Sequence, residues 1–476
     1  MRQAADMRGS TVFEGTETAD RGAELAASLL QRVFKNLTFG FAVRLWTGPS
    51  FTVGSSDPAA MDSRFLLRFV DPEAVCSLIL GRDPLRLAEA YFLSDIDIEG
   101  DLFAALRLKD HLRELKLSSW ERLRAWSMAH ELRSLIKGLS REKYHDVWRP
   151  APRHHLGTQR PWQGGIVRGH SKEENRDAIH FHYDVSNEFY RLWLGPSMVY
   201  SCAYFEEPNY SLDEAQQAKL EHICRKLILR PGERFLDIGC GWGSLVIHAA
   251  RRYGVRAYGI TLSEKQLEFA RRRISEEGLE GQVTVELRDY RDLQGSEVYD
   301  KVASIGMFEH VGLKNLPLYF DTVHRLLTPS GLFLNHGITH ARAGWDKNVS
   351  TAFINRYVFP DGQLDNISNI QGYMEDAKFE ITDVEALRPH YARTLRAWVQ
   401  QLERRRARAL EYVSESIYRV WRLYMAASAL EFESGGIGVY QVLASRHGPL
   451  HPKLPLTRRH LYYRPVKDQT GGHFVR

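Results

Sequence analysis

The chain is expected to fold as an α/β protein: a doubly wound parallel sheet with a helical insertion before its last strand, preceded by a smaller α+β domain. Three observations carry this expectation. From about residue 180 onward, strand-like and helix-like segments alternate. A glycine-rich turn, Gly239-Cys240-Gly241-Trp242-Gly243, joins one of those strands to a helix. Between 141 and 178 the chain is basic, rich in Pro and Gly, and poor in apolar periodicity, which sets a front segment apart as 1–140.

In chain order, residues 1–20 read as a loose tail. Residues 22–34 read as an amphipathic helix with Leu25, Leu29, Leu30 and Val33 on one face. Alternation of Phe39, Phe41, Val43 and Leu45 predicts a strand ending at the Thr-Gly-Pro-Ser turn of 47–50, with further strands near 51–53 and 64–70. The stretch from Pro72 to Leu108 reads as two or three helices around an acidic turn, Asp95 to Asp101, and 119–139 as a helix ending near Gly138. Beyond the linker, strands are expected at 234–238, 255–260, 282–287, 299–305, 331–335, 378–386 and 437–445. A long helical insertion, 394–434, separates the last two and includes the run from Arg404 to Arg408, most simply a solvated helix face or a C-terminal turn favouring cations.

Composition narrows the function classes. The 476 residues carry 64 Lys plus Arg against 59 Asp plus Glu, a net charge of +5 that is too weak on this length to argue for nucleic acid. Its distribution says more: the first 450 residues sum to zero, with 51–100 acidic and 101–200 basic, and the last 26 residues carry the excess. The four cysteines, Cys76, Cys202, Cys224 and Cys240, show no CxxC or Cys/His spacing, so they read as reduced thiols rather than zinc ligands or disulfides. His154, His155 and His170 lack a partner Cys or carboxylate at ligand spacing, and solvated linker residues are the simpler reading. With no secretory signal pattern and no apolar run of ~18 residues, the chain is expected to be cytoplasmic and at most peripheral on a membrane.

The glycine turn is the first chemical signal. Asp237-Ile238-Gly239-x-Gly241-x-Gly243 ends a strand and opens a helix, where a backbone without side chains lets a ligand approach closely. The spacing is GxGxG, not GxGxxG. The stretch where a dinucleotide site carries a ribose-binding acid reads Gly259-Ile260-Thr261-Leu262. S-adenosylmethionine therefore fits better than NAD. The segment Ser304 to His310 holds no Asn-Pro-Pro-aromatic block for a flipped base, which argues against a nucleic-acid methyltransferase.

Ordered blocks then resemble one family. They are 182–190, 200–205, 237–243, 259–266, 304–310, 336–338, 390–398 and 435–443. With them the chain is similar to the cyclopropane-fatty-acyl-phospholipid synthases, a group that includes the mycolic acid cyclopropane synthases. The resemblance covers roughly 180–465. A looser match of 89–91 and 97–103 extends it to the front domain of full-length bacterial members. It implies a Rossmann-like class I methyltransferase domain over 179–476, S-adenosylmethionine as methyl donor and bicarbonate as a second cofactor. Tyr200, Ser201, Gly239, Thr261, Leu262, Gln266 and Gly306 match its S-adenosylmethionine-binding positions, Asp237, Gly241 and Gly243 complete the loop, and Tyr290 stands where an aromatic residue walls the adenine. Cys202, Glu309, His336, Ile338 through its backbone, and Tyr391 match its bicarbonate site.

Each of these residues alone has a plainer reading. Cys202 would be a small buried hydrophobe, His336 a hydrogen-bonded core imidazole, Tyr391 a packing residue and Glu309 a helix-start charge. It is their joint occurrence in family order that points to chemistry. His310 is expected at most to support the site, and Cys76 and Cys224 to fill cores. The resemblance further implies unsaturated phospholipids at the inner face of the membrane as partners, no nucleic acid, a lipid-docking or substrate role for the front domain, and a homodimer. Two other outcomes stay open: methylene- or methyl-branched products from the same enzyme class, and a non-catalytic lipid-binding protein.

Overall fold

The computed structural model describes residues 7–55, 61–80, 84–112, 118–139, 185–343, 354, 357–359, 362–447 and 454–462. The basic linker, its three histidines, His182 to Asp184, and the tail residues Lys453, Arg464, Lys467 and Arg476 lie outside them. The chain divides into two compact units. One is Met1–Pro161 with Lys347–Phe353 and Arg406–Ala427; the other is Trp162–Asp346 with Ile354–Arg405 and Ser428–Arg476.

In the first unit, helix α1 (Met7–Phe34) precedes β1 (Gly40–Arg44), β2 (Phe51–Gly54) and β3 (Met61–Phe69). Then come α2 (Pro72–Leu80), α3 (Pro84–Phe92), β4 (Ile96–Gly100), α4 (Leu102–Leu112) and α5 (Ser119–Leu139). The sheet order is β2-β1-β3-β4. Two expectations are corrected. Helix α1 begins at Met7 rather than 22: with no proline from 7 to 34, a helix anchored by buried Ala26, Leu29, Leu30 and Val33 extends toward the N-terminus. The acidic turn is an edge strand, β4, paired antiparallel with β3, because Ile96 alternates with acidic residues and is the one buried position of the strand. The core gathers Phe34, Phe41 and Phe65 with Val75, Cys76, Ala129 and Leu132. Phe41 and Phe65 stack at 5.6 Å between centroids.

The second unit starts with α6 (Asn187–Leu194) and α7 (Leu212–Lys226), followed by β5 (Arg234–Ile238), α8 (Ser244–Tyr253), β6 (Arg256–Thr261), α9 (Glu264–Glu276) and β7 (Val283–Leu287). It continues with β8 (Tyr299–Ile305), α10 (Leu316–Leu326), β9 (Leu327–His340), α11 (Ile367–Asp376), β10 (Phe379–Ala386) and α12 (Arg388–Arg404). The short α13 (Arg406–Ala409) and the long α14 (Glu415–Ser434) lead to β11 (Ile437–Arg446). Residues 406–427 of that insertion pack in the first unit. There Arg419, 7% exposed, pairs with Asp97 at 3.2 Å and lies over the Tyr91 ring.

The seven-stranded sheet has the order β10-β11-β9-β8-β5-β6-β7. Neighbours from β7 to β9 run parallel, whereas β11 is antiparallel to both β9 and β10. The sheet is thus not wholly parallel: β11 slots between two strands that share a direction, and runs against both. Alternation along the strands feeds two cores. Phe235, Leu332 and Leu334 join helices α7, α8 and α9 on one face, while Leu236, Phe333 and Val442 join α10 and α11 on the other. A β–α alternation with helices on both faces leaves the crevice at the carboxyl ends of the central strands for a ligand.

Candidate functional site

The cleft begins where β5 ends. Gly239, Gly241 and Gly243 all have φ between +54° and +84°, a region that side chains with a Cβ disfavour, so the GxGxG spacing is a backbone requirement. The Gly239 and Cys240 N–H groups both donate to the Ile260 carbonyl, at 3.0 and 2.9 Å, tying the turn to β6. Gly259 matters for the same reason, since a Cβ there would sit 2.9 Å from the Cys240 side chain.

Ten of the eleven expected cofactor positions line this one cleft: Tyr200, Ser201, Asp237, Gly239, Gly241, Thr261, Leu262, Gln266, Tyr290 and Gly306. Gly243 lies behind it as the N-cap residue of α8. The Thr261 hydroxyl donates to Gln266 Oε1 at 2.8 Å, so a neutral amide stands near the end of β6 where a dinucleotide site has a carboxylate. Tyr290 is buried, edge-on to Tyr319 at 5.3 Å and covered by the Arg291 guanidinium at 5.4 Å. His310 also lines the cleft.

Two cleft residues acquire unusual electrostatics. Lys219, on α7 and 2% exposed, donates from Nζ to Ser201 Oγ at 2.9 Å, and burial lowers its pKa to about 8. Asp237, also 2% exposed, has an Oδ1 with no hydrogen-bond partner, and burial lifts its carboxyl to about 7 against the pull of Lys219. An unfolded Asp releases its proton near pH 3.9 while the folded one holds it to about 7. Between those values the folded state binds more protons, so stability falls as pH rises, by on the order of 4 kcal/mol in total. Thermal unfolding of the ligand-free protein is therefore expected to show Asp237→Asn gaining on wild type from about pH 4 to about 7 and holding a constant lead above. A lead that is the same at every pH refutes this reading.

The five expected anion-site residues are linked to one another through hydrogen bonds and strand pairing. Glu309, in the short 3-10 turn after β8, accepts at Oε1 from the Ile338 N–H at 2.8 Å. His336 faces the same side of β9 two residues earlier, and its carbonyl accepts from the Gly306 N–H at 2.7 Å, joining the cluster to the cofactor cleft. Ile338 is in register with Val439 of β11, whose carbonyl accepts from the Leu387 N–H at 2.9 Å. The Leu387 carbonyl in turn accepts from the Tyr391 N–H at 3.1 Å and faces the Cys202 thiol at 3.8 Å. Gly337 must be glycine here: a Cβ would sit 2.0 Å from Cε1 of Phe308, the residue before Glu309.

Burial dominates the chemistry of this cluster. Cys202 is fully buried and its thiol is pushed well above the usual range, which marks it as a neutral donor and not a nucleophile. Burial raises the Glu309 carboxyl, and burial followed by the charges of Lys219 and Lys226 holds His336 well below the usual imidazole range, so His336 is neutral at pH 7. Glu309 Oε2 and His336 Nε2 are buried with no hydrogen-bond partner. A buried polar atom without a partner in the protein is one that a polar ligand can satisfy. Because the Ile338 N–H is taken by Glu309, the backbone atom Ile338 can offer a ligand is its carbonyl.

Sequence reasoning missed three residues. Lys219 sits on α7, ahead of the first strand of the large sheet, and Asp289 lines the cleft while capping its own turn at the Arg291 N–H. Gln441, fully buried on β11, faces His336 across the strand pair with its Nε2 3.2 Å from His336 Nδ1. Lys219 and Asp289 fall in none of the ordered family blocks, and Gln441 falls in the 435–443 block without having been assigned a role. Among the described residues there is no cluster of His, Cys, Asp and Glu suited to a metal ion.

Comparison with known proteins now places the chain. A family profile described as mycolic acid cyclopropane synthetase matches residues 170–442. A Pseudomonas putida protein named "Probable fatty acid methyltransferase" is 37% identical over 436 residues, covering 91% of this chain and 99% of its own. The cyclopropane-fatty-acyl-phospholipid synthase of Escherichia coli K12 is 41% identical over 265 residues, 56% of this chain and 66% of its own. The solved cyclopropane synthase MmaA2 of Mycobacterium tuberculosis superposes with a TM-score of 0.54 at 33% identity, over 57% of this chain and 98% of that one. With the glycine loop, the cleft and the sheet order already described, these matches show that the chain belongs to the cyclopropane-fatty-acyl-phospholipid synthase family, S-adenosylmethionine-dependent methyltransferases that act on fatty acyl chains.

Proposed function

We propose that the chain transfers a methylene group from S-adenosylmethionine to the cis double bond of unsaturated phospholipid acyl chains, giving cyclopropane fatty acids, at the cytoplasmic face of the membrane. The observation that carries the proposal is that Glu309 Oε2 and His336 Nε2 are each buried without a hydrogen-bond partner, while the His336 carbonyl is bonded to Gly306 of the cofactor cleft. When bound, S-adenosylmethionine supplies an electrophilic methyl group, and bicarbonate supplies a small base. The residues present suit that anion: His336, Tyr391 and Cys202 carry donors, and Glu309 Oε2 accepts a hydroxyl.

The demands on the protein follow from the reaction class. Adding a methyl group to an alkene leaves positive charge on the chain, and ring closure requires that the added carbon lose a proton. A dry site keeps water from capturing the cation. Around Tyr391 stand Trp398, 6.0 Å away, and Phe432, 4.7 Å away, with Tyr200 5.4 Å beyond Trp398. Such aromatic faces stabilise a desolvated cation by about 2 kcal/mol. Glu309, held at Oε1 by Ile338, keeps Oε2 directed to the acceptor role, and neutral His336 adds no positive charge of its own.

The same cation, after a hydride shift that moves the charge to the methyl-bearing carbon, loses a proton from the added methyl group to give a methylene-branched chain. The Pseudomonas putida relative, which aligns over nearly its whole length, is named as a fatty acid methyltransferase, a description that fits either product. Expression in a bacterial host lacking its own synthase separates them. Lipid mass spectrometry is expected to show one added CH2 per modified chain, and proton NMR the shielded ring methylene. An added CH2 with olefinic exomethylene protons instead selects the branched product, and no added CH2 removes both.

A further inference from the structure

Helix α5 in the first unit buries Ala125, Ala129, Leu132 and Ile136, the spacing of a helix packed along one face. Its other side is unusual. Trp120, Leu123 and Trp126 follow at three-residue intervals and are 79%, 57% and 54% exposed. The other exposed large apolar residues, such as Leu93, Leu287, Leu318 and Leu456, are scattered singly over the chain, which is ordinary. Arg122 and Arg124, both exposed and in no ion pair among the described residues, alternate with the stripe. The acidic Glu121 is instead paired with Lys35.

We propose that the Trp120–Leu123–Trp126 face of α5, with Arg122 and Arg124, docks the protein on an anionic phospholipid bilayer. The inference rests on the proposed function, in which the substrate chain lies in a membrane. Tryptophan suits the headgroup level, where its ring meets acyl carbon and its N–H meets water and phosphate. The free arginines complement anionic headgroups. A stripe of three side chains over two turns is much smaller than the roughly 800 Å² per partner of a stable protein interface. Among the described residues no helix is long and apolar enough to cross a membrane, so α5 lies on the surface instead of spanning it.

The test is sedimentation of the full-length protein with vesicles of equal parts phosphatidylglycerol and phosphatidylethanolamine, and with phosphatidylcholine alone. Replacing Trp120, Leu123 and Trp126 together by Gln keeps helix propensity and removes the apolar stripe. It is expected to lower partitioning by on the order of 100-fold on both vesicle types. Arg122→Gln with Arg124→Gln is expected to lower it about 5-fold per charge on the anionic vesicles alone, an effect that high salt abolishes. Wild-type partitioning by the triple Gln variant overturns the proposal. So does a change in its molar mass by light scattering without lipid, which would make the stripe a contact between two copies. Turnover on detergent-dispersed phospholipid separates this proposal from the functional reading. A triple variant that turns over dispersed lipid at the wild-type rate but fails on vesicles supports docking, whereas wild type that binds vesicles and turns over no lipid sinks the reading and spares the surface.

Discussion

Replacing Glu309 with Gln is expected to lower turnover about 10²–10⁴-fold, the range for loss of a positioned acid–base group, while S-adenosylmethionine affinity stays at the wild-type value. The substitution is nearly isosteric, and its orientation is dictated. The amide oxygen must take the place of Oε1 to keep accepting from the Ile338 N–H, since turning the amide over would set two donors against each other. The NH2 group then replaces Oε2, so one buried acceptor becomes a donor in a site whose other polar side chains also donate. The lining of the cofactor cleft is kept, because Glu309 itself is not among the residues that form it. Calorimetric titration of S-adenosylmethionine and a turnover assay on the same preparation give the answer. A variant with near-normal turnover removes Glu309 from the mechanism. In the wild type, burial raises the Glu309 carboxyl, so the acid limb of turnover lies above the ordinary glutamate range and activity falls as Oε2 takes up a proton.

The features legible in the sequence were those written locally. All seven strands of the large sheet were readable because each alternates or runs apolar between turn residues, and the glycine spacing reports three backbone positions at positive φ. Strand β4 was hidden by its composition, since acidic residues at an exposed edge look like a turn until Ile96 is seen to be buried against β3. The insertion of β11 between β9 and β10 is set by pairing partners some fifty to a hundred residues away, and no local pattern encodes it. The same limit applies within the site. Cys202, Glu309, His336 and Tyr391 were identifiable because they match family site positions within ordered blocks, whereas Lys219 lies outside every block and Gln441, though inside 435–443, acquires its meaning only from the His336 that the fold sets opposite it.

Gln441 makes the second large expectation concrete. His336 is neutral, so its imidazole carries one proton, and the neighbour of Nδ1 decides where. Gln441 Nε2 donates to Nδ1, which leaves the proton on Nε2, the buried atom without a partner. Gln441→Leu keeps the volume close but releases Nδ1, and is expected to lower kcat about 10–100-fold, as for loss of other groups that orient a functional histidine, with S-adenosylmethionine affinity unchanged. Gln441→Glu is the sharper variant: a carboxylate accepts from Nδ1–H, reverses the tautomer and raises the imidazole pKa, so kcat falls and its pH profile moves. Nitrogen-15 NMR of labelled histidine reads the tautomer directly in a protein that remains folded. The decisive comparison is the double variant. If Gln441 acts through His336, then His336→Ala with Gln441→Leu loses no more than His336→Ala alone. Losses that multiply would give Gln441 a role of its own, and wild-type kcat in Gln441→Leu would mean that the imidazole needs no partner to hold its proton on Nε2.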